Sequence, residues 1–167
     1  MLSTNYAGSH FLALQLASHS KCASVGEFHN FNQGMKQVCS ICESDEQCPL
    51  FKGMTKHPVK ELYKHVFINL EALEPDVHTI IDTSKKPRWA RRFINMPGVK
   101  QKYIHLIRDP RALIRRWMLL YKNTEEKQKV RFLTARRCWR NSWSILTGSE
   151  VDIYIWKWIY QNRLITN

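Results

Sequence analysis

The sequence predicts an α/β fold in which a parallel β-sheet is flanked by helices. Three observations predict it. Short runs that are apolar rather than alternating, such as Tyr103-Ile104-His105-Leu106-Ile107 and His78-Thr79-Ile80-Ile81, fit strands covered on both faces. Helical patterns alternate with these runs, as the crossovers between parallel strands require. Polar clusters stand where a strand gives way to a helix, the end of such a sheet that binds ligands.

Each element follows from its residues. His10 to Ser18 is apolar nearly all round, as in a helix buried on most sides. Ala23-Ser24-Val25 predicts a short strand ending at Gly26-Glu27. Residues 29–58 are polar and punctuated by Gly34, Pro49, Gly53 and Pro58, which predicts a long excursion with little regular structure. Leu62, Val66, Leu70 and Leu73 recur at helical steps within 60–73. The run at 78–81 predicts a buried strand entering Asp82-Thr83-Ser84-Lys85, and Pro87 opens a helix through Phe93. The strand at 103–107 stops at Arg108-Asp109-Pro110. Asp109 suits an N-cap and Pro110 a first helical turn, predicting a helix to about Tyr121. Two further helices follow, at 125–146 and 150–166, the last opened by a capping box of Ser149 and Asp152.

The 167 residues suffice for one core-forming domain, read as a single, partial domain over 1–167 with a Cys-containing loop at 29–58. Only Met1 and Leu2 precede the first turn, and no stop signal follows the last helix, so both ends read as cut. Mean hydropathy is −0.42, and no run reaches a membrane span's ~18 apolar residues. Lys plus Arg number 26 against 14 Asp plus Glu, a net charge of +12 that attracts polyanions. The chain opens without a signal-peptide pattern, and five cysteines leave an odd thiol; together these point to a reducing, cytoplasmic setting.

Three clusters could carry chemistry. Ser3-Thr4-Asn5-Tyr6-Ala7-Gly8-Ser9-His10 precedes a helix whose N-terminal N–H groups suit an anion. Gly8 allows close backbone approach, and Ser9 and His10 add donors. The nucleotide-triphosphatase pattern G-x-x-x-x-G-K-[ST] is absent. Arg108-Asp109-Pro110-Arg111 ends a strand, where Arg108 could grip a phosphate through its guanidinium fork. Cys39-x2-Cys42-x5-Cys48 is half of a zinc pattern, with Cys22, His29 or His57 as the only further ligands. It reads as loop cysteines, and no metal is expected.

"GSHFLALQL" and "YIHLIRDPRAL" resemble the two nucleotide-binding motifs of sulfotransferases that use 3′-phosphoadenosine 5′-phosphosulfate (PAPS). Between them, "SHSKCASVGE" is similar to the family's "HP…GE" segment and "IIDTSKKP" to the "DSSK" segment of bacterial members. The resemblance spans residues 3 to about 122. It implies a P-loop-NTPase-like sulfotransferase fold, here incomplete at both ends, and an enzyme moving a sulfuryl group from PAPS to a hydroxyl or amine. It implies a donor loop of Tyr6, Ala7, Gly8, Ser9 and His10 at the 5′-phosphosulfate, with Arg108 at the 3′-phosphate. The acceptor would be a small molecule or carbohydrate.

Two departures stand out. Tyr6 occupies the place of the family's Arg or Lys, so Lys85 becomes the candidate cation at the leaving phosphate. Arg116 stands where the family has a serine at the 3′-phosphate. Sulfuryl transfer needs a base for the acceptor, fixed positive charge for the leaving nucleotide and in-line placement. Glu27, at a strand end after Gly26, is the candidate base, with His29 its rival; His10 is a candidate donor to the sulfuryl group. Three other functions compete: a kinase-like nucleotide binder, a nucleic-acid or other polyanion binder, and a truncated, catalytically silent homologue. The missing Lys-[ST] weighs against the first, and the lack of an aromatic-basic nucleic-acid motif against the second.

Overall fold

The computed structural model describes residues 1–33 and 47–166. They form a mixed α/β structure with short strands in two two-stranded sheets. The chain divides into two compact units: Met1–Leu2 with Ser9–Ile104, and Ser3–Gly8 with His105–Asn167.

In the first unit, β2 (Cys22–Gly26) pairs in parallel with β3 (Thr79–Asp82), with an irregularity between Ser24 and Gly26. Helix α1 (Ser9–Ala17) packs on both strands, and α2 (Leu62–Leu73) follows two 3₁₀ turns. Helix α3 (Pro87–Ala90) opens on Pro87, as predicted, but tightens to a 3₁₀ turn at Arg91–Phe93. The core joins Val25, Phe28, Met54, Val66, Trp89 and Phe93. Tyr63 binds these rings together, its centroid 4.8 Å from that of Phe28 and 4.5 Å, edge-on, from that of Phe93.

Three expectations are corrected here. Helix α1 is not buried on most sides: Phe11 and Leu14 are 69% and 68% exposed, because a two-stranded sheet covers only one side of it. Strand β3 buries only Ile81, with Thr79 exposed. The described part of the 29–58 excursion is not a featureless loop. Cys48, Phe51 and Met54 are buried in the core, which is why this polar-looking stretch takes a fixed course. Cys39 and Cys42 lie outside the described residues.

In the second unit, β4 is only His105–Leu106, not the buried five-residue strand expected. It neighbours β1 (Leu2–Ser3), itself two residues long, so the ladder ends early; Ile107 is 57% exposed. Its His105 is pinned to Asn162 at 2.9 Å. Helix α4 (Pro110–Leu120) starts as predicted, with Asp109 capping it. The single helix expected at 125–146 is broken: α5 (Thr124–Arg137) stops, Cys138 leaves helical geometry, and α6 (Ser142–Thr147) follows a 3₁₀ turn. The break lets α6 fold back on α5, burying Ala135 and Ile145 in one cluster with Ile153 of α7 (Glu150–Thr166). Leu113, Ile114, Trp117 and Tyr154 form a second cluster between α4 and α7. The expected capping box is present: Ser149 N–H donates to Asp152 at 2.8 Å, and Asp152 N–H to Ser149 at 3.3 Å.

Candidate functional site

In the first unit, paired parallel strands bring the ends of β2 and β3 together, so Glu27 and Lys85 meet although far apart in sequence. Lys85 Nζ donates to Glu27 Oε1, and the pair is largely shielded, with side-chain exposures of 13% and 29%. Local geometry aims both. Gly26 takes φ +65°, a left-handed turn suited to glycine, although nothing lies within 4 Å of a Cβ placed there. Conformation, not space, requires that glycine. Lys85 itself sits at φ +62°, which costs a branched or long side chain on the order of 1 kcal/mol.

Asp82 organises the turn beneath this pair. Its Oδ1 accepts from Phe28 N (3.3 Å), from Ser84 N (2.7 Å) and from the Ser84 hydroxyl. Its Oδ2 accepts from the Tyr63 hydroxyl and from Trp89 Nε1 (3.2 Å). A carboxylate offers about four acceptor sites, so this one is saturated. Burial, then the Asp82 charge, pushes the Tyr63 hydroxyl well above its usual pKa, so it stays a donor. Ser84 Oγ in turn accepts from His29 N at 2.9 Å. The His29 ring is buried, and its Nδ1 has no partner among the described residues. Burial, with Lys86 adding, holds its pKa below the usual value, leaving a neutral imidazole.

In the second unit, the Ser3–Gly8 loop closes with Ala7 N donating to Thr4 O at 3.3 Å, and Tyr6 and Gly8 both have positive φ. Arg108 Nη1 donates to Tyr6 O at 2.9 Å. The Arg116 guanidinium lies 5.5 Å from the Tyr6 ring centroid. Arg111 folds back on Asp109, with Nη2 to Oδ2 at 2.6 Å, and this pairing holds the Asp109 carboxyl below the usual range. The cap thus uses one arginine of the motif and leaves Arg108 and Arg116 without a carboxylate partner among the described residues. Two cations converging on one loop, with no counter-charge, can hold an anion.

The predicted residues therefore fall into two groups, Glu27 with Lys85 and Tyr6 with Arg108 and Arg116. Ser9 is the buried first residue of α1 and His10 is exposed beside it, both in the first unit; Ala7 and Gly8 belong to the second. Helices α4 and α7 also border an apolar groove of about 640 Å³ at Ile114, Met118, Val151 and Ile155. Among the described residues, Arg111 and Arg115 are the only titratable groups lining it. Sequence reasoning missed Asp82 as the organising carboxylate; its place directly after the apolar run at 80–81 was the available signal. It also missed Lys157, which lies 4.5 Å from the Trp117 ring centroid and 4.7 Å from that of Tyr121. No group of three or more metal-ligating side chains occurs among the described residues. No helix among them is long and apolar enough to cross a membrane.

Compared with family models, with curated proteins and with solved structures, the chain matches none.

Proposed function

We propose that this chain is a PAPS-dependent sulfotransferase of P-loop-like α/β fold, acting in the cytoplasm on a hydroxyl or amine of a small molecule or carbohydrate. The observation that carries the reading is the hydrogen bond from Arg108 to Tyr6 O. It joins the two segments that resemble the family's nucleotide-binding motifs. Arg108 and Arg116 supply charge for the 3′-phosphate, and the Tyr6–Gly8 loop supplies backbone N–H groups for the 5′-phosphosulfate.

Glu27 takes the acceptor proton as the acceptor oxygen or nitrogen bonds to sulfur. The bridging S–O bond breaks, and its electron pair leaves with adenosine 3′,5′-bisphosphate. Lys85 neutralises that developing charge. His29, neutral and buried beside Ser84, is the rival base.

A non-catalytic nucleotide-binding homologue is the second reading, favoured by Tyr6 in the place of a cation. Titration calorimetry with adenosine 3′,5′-bisphosphate against ATP tests the shared step. Binding of the bisphosphate, at least about tenfold tighter than ATP (about 1.4 kcal/mol), is expected; preference for ATP overturns both readings. Transfer of labelled sulfate from PAPS to a panel of phenols, amines and sugars separates them.

A further inference from the structure

The α5–α6 hairpin presents an exposed face that the proposed reaction does not use. Trp143 and Leu146 stand at i and i+3 on one face of α6, and Trp139 stands on the 3₁₀ turn that leads into it. Trp139, Trp143 and Leu146 are 70%, 78% and 40% exposed. Single exposed apolar residues are ordinary, but two nearly bare tryptophans four residues apart, followed by a half-exposed leucine, are not. Loose packing is not the cause. Ile145, on the same helix, is fully buried against Ala135 and Ile153, and Arg131 Nη1 fastens the helix end by donating to Ile145 O at 2.7 Å and Gly148 O at 2.8 Å. The helix is firmly seated with its aromatic side outward.

Charge identifies the partner. No acidic residue occurs between Glu126 and Glu150, while Lys129, Arg136, Arg137 and Arg140 are exposed in that interval. The Arg140 guanidinium lies 5.3 Å from the Trp139 ring centroid, placing cation and ring side by side. Tryptophan settles at the headgroup level of a bilayer, and basic side chains beside it meet anionic headgroups. Leu146 favours lipid over nucleic acid, since an aliphatic side chain offers no surface for stacking on a base.

We propose that the Trp139–Leu146 face docks the protein on anionic membrane surfaces, lying in the interface without spanning it. The test is co-sedimentation of the full chain with phosphatidylcholine vesicles containing about a third phosphatidylserine, beside vesicles of phosphatidylcholine alone. Binding to the anionic vesicles is expected to be about tenfold or more tighter and to weaken with salt, since each basic side chain near such a surface contributes about fivefold. Trp139→Ser with Trp143→Ser should weaken binding by about tenfold or more, with circular dichroism unchanged because both side chains are solvent-facing. Arg136→Gln with Arg140→Gln keeps the rings and should reduce the preference for phosphatidylserine. A lipid-borne quencher should dim wild-type tryptophan fluorescence more than that of the double-serine variant. No binding to anionic vesicles, or equal binding by the double-serine variant, overturns the proposal. So does a variant that keeps vesicle binding but loses binding to a single-stranded RNA oligonucleotide.

Discussion

The Arg116 guanidinium stands over the Tyr6 ring, with 5.5 Å from cation to centroid. The tyrosine that, on the proposed sulfotransferase reading, takes the place of a loop cation is therefore itself a support for a cation. Positive charge stays at the loop but comes from α4 rather than from the loop. A cation–π contact at an exposed site is worth about 0.5–1 kcal/mol, enough to orient Arg116 but not to immobilise it.

Arg108 is the residue on which nucleotide binding should depend most. Arg108→Ala is expected to weaken adenosine 3′,5′-bisphosphate binding by about 1.5–3 kcal/mol, roughly 10- to 150-fold, as a charge-assisted bond to phosphate is lost. Calorimetry reads this directly. Tyr6→Leu keeps the backbone oxygen that Arg108 engages and removes only the ring under Arg116. Its loss should stay within about 1 kcal/mol. Equal losses for the two variants would place the anion on Arg116 instead.

For the chemical step, Glu27→Gln is expected to lower turnover by about 100- to 10,000-fold while leaving donor binding within a few-fold, the signature of a general base. His29→Ala is the control. Lost turnover in His29→Ala with Glu27→Gln intact assigns the base to the histidine. The rate–pH profile gives an independent reading. A histidine base here should show its limb below the ordinary imidazole value, because burial lowers the His29 pKa.

Asp82→Asn tests the polar network. The amide keeps the shape but puts an N–H₂ where two donors, Tyr63 and Trp89, or Ser84 and Phe28, now find an acceptor. Each buried donor left unpaired costs about 1–3 kcal/mol, so the unfolding free energy should fall by at least that for one group, read as a lower urea midpoint. An unchanged midpoint would show that the network does not hold the β2 and β3 ends.

Lys157 gives a pH dependence of stability. Burial is the main cause, with Arg137 adding, that lowers its pKa to about 8 from an ordinary 10.5. Between those values the unfolded chain carries the proton and the folded chain does not. This group therefore makes stability rise from about pH 8 to about pH 10.5. Lys157→Met fills the same space between Trp117 and Tyr121 without the charge. The variant should gain stability at neutral pH and lose that rise, as read from thermal melts across the range.

Much of the fold was legible because local chemistry dictated it. Asp109 before Pro110, and Ser149 before Asp152, marked helix starts through caps that need no tertiary partner. Of the periodic Leu62, Val66, Leu70 and Leu73, the first three are buried on the inward face of α2, while Leu73, at the end of the helix, is exposed. The failures lie where packing decides. The apolar run at 10–18 says nothing of how wide a surface will cover it, and the run at 103–107 says nothing of a two-residue neighbour. The bend at Cys138 is set by burial of Ile145 against Ala135, which helical period cannot show. In the site, Glu27 was readable from a strand end, and Lys85 only through the resemblance, as the cation that Tyr6 does not supply. Their pairing depends on the parallel register of β2 and β3.

The reach of Arg131 across to the carbonyls that end α6 has a consequence for how the molecule breathes. A helix end ordinarily frays, since its last carbonyls have only water to bind. Here one guanidinium on α5 holds Ile145 O, Leu146 O and Gly148 O together. Unwinding α6 must first break bonds anchored in its neighbour, so the two helices should open as one cooperative unit. Amide hydrogens of α6 should then exchange with solvent at the pace of α5 rather than at that of a short terminal helix.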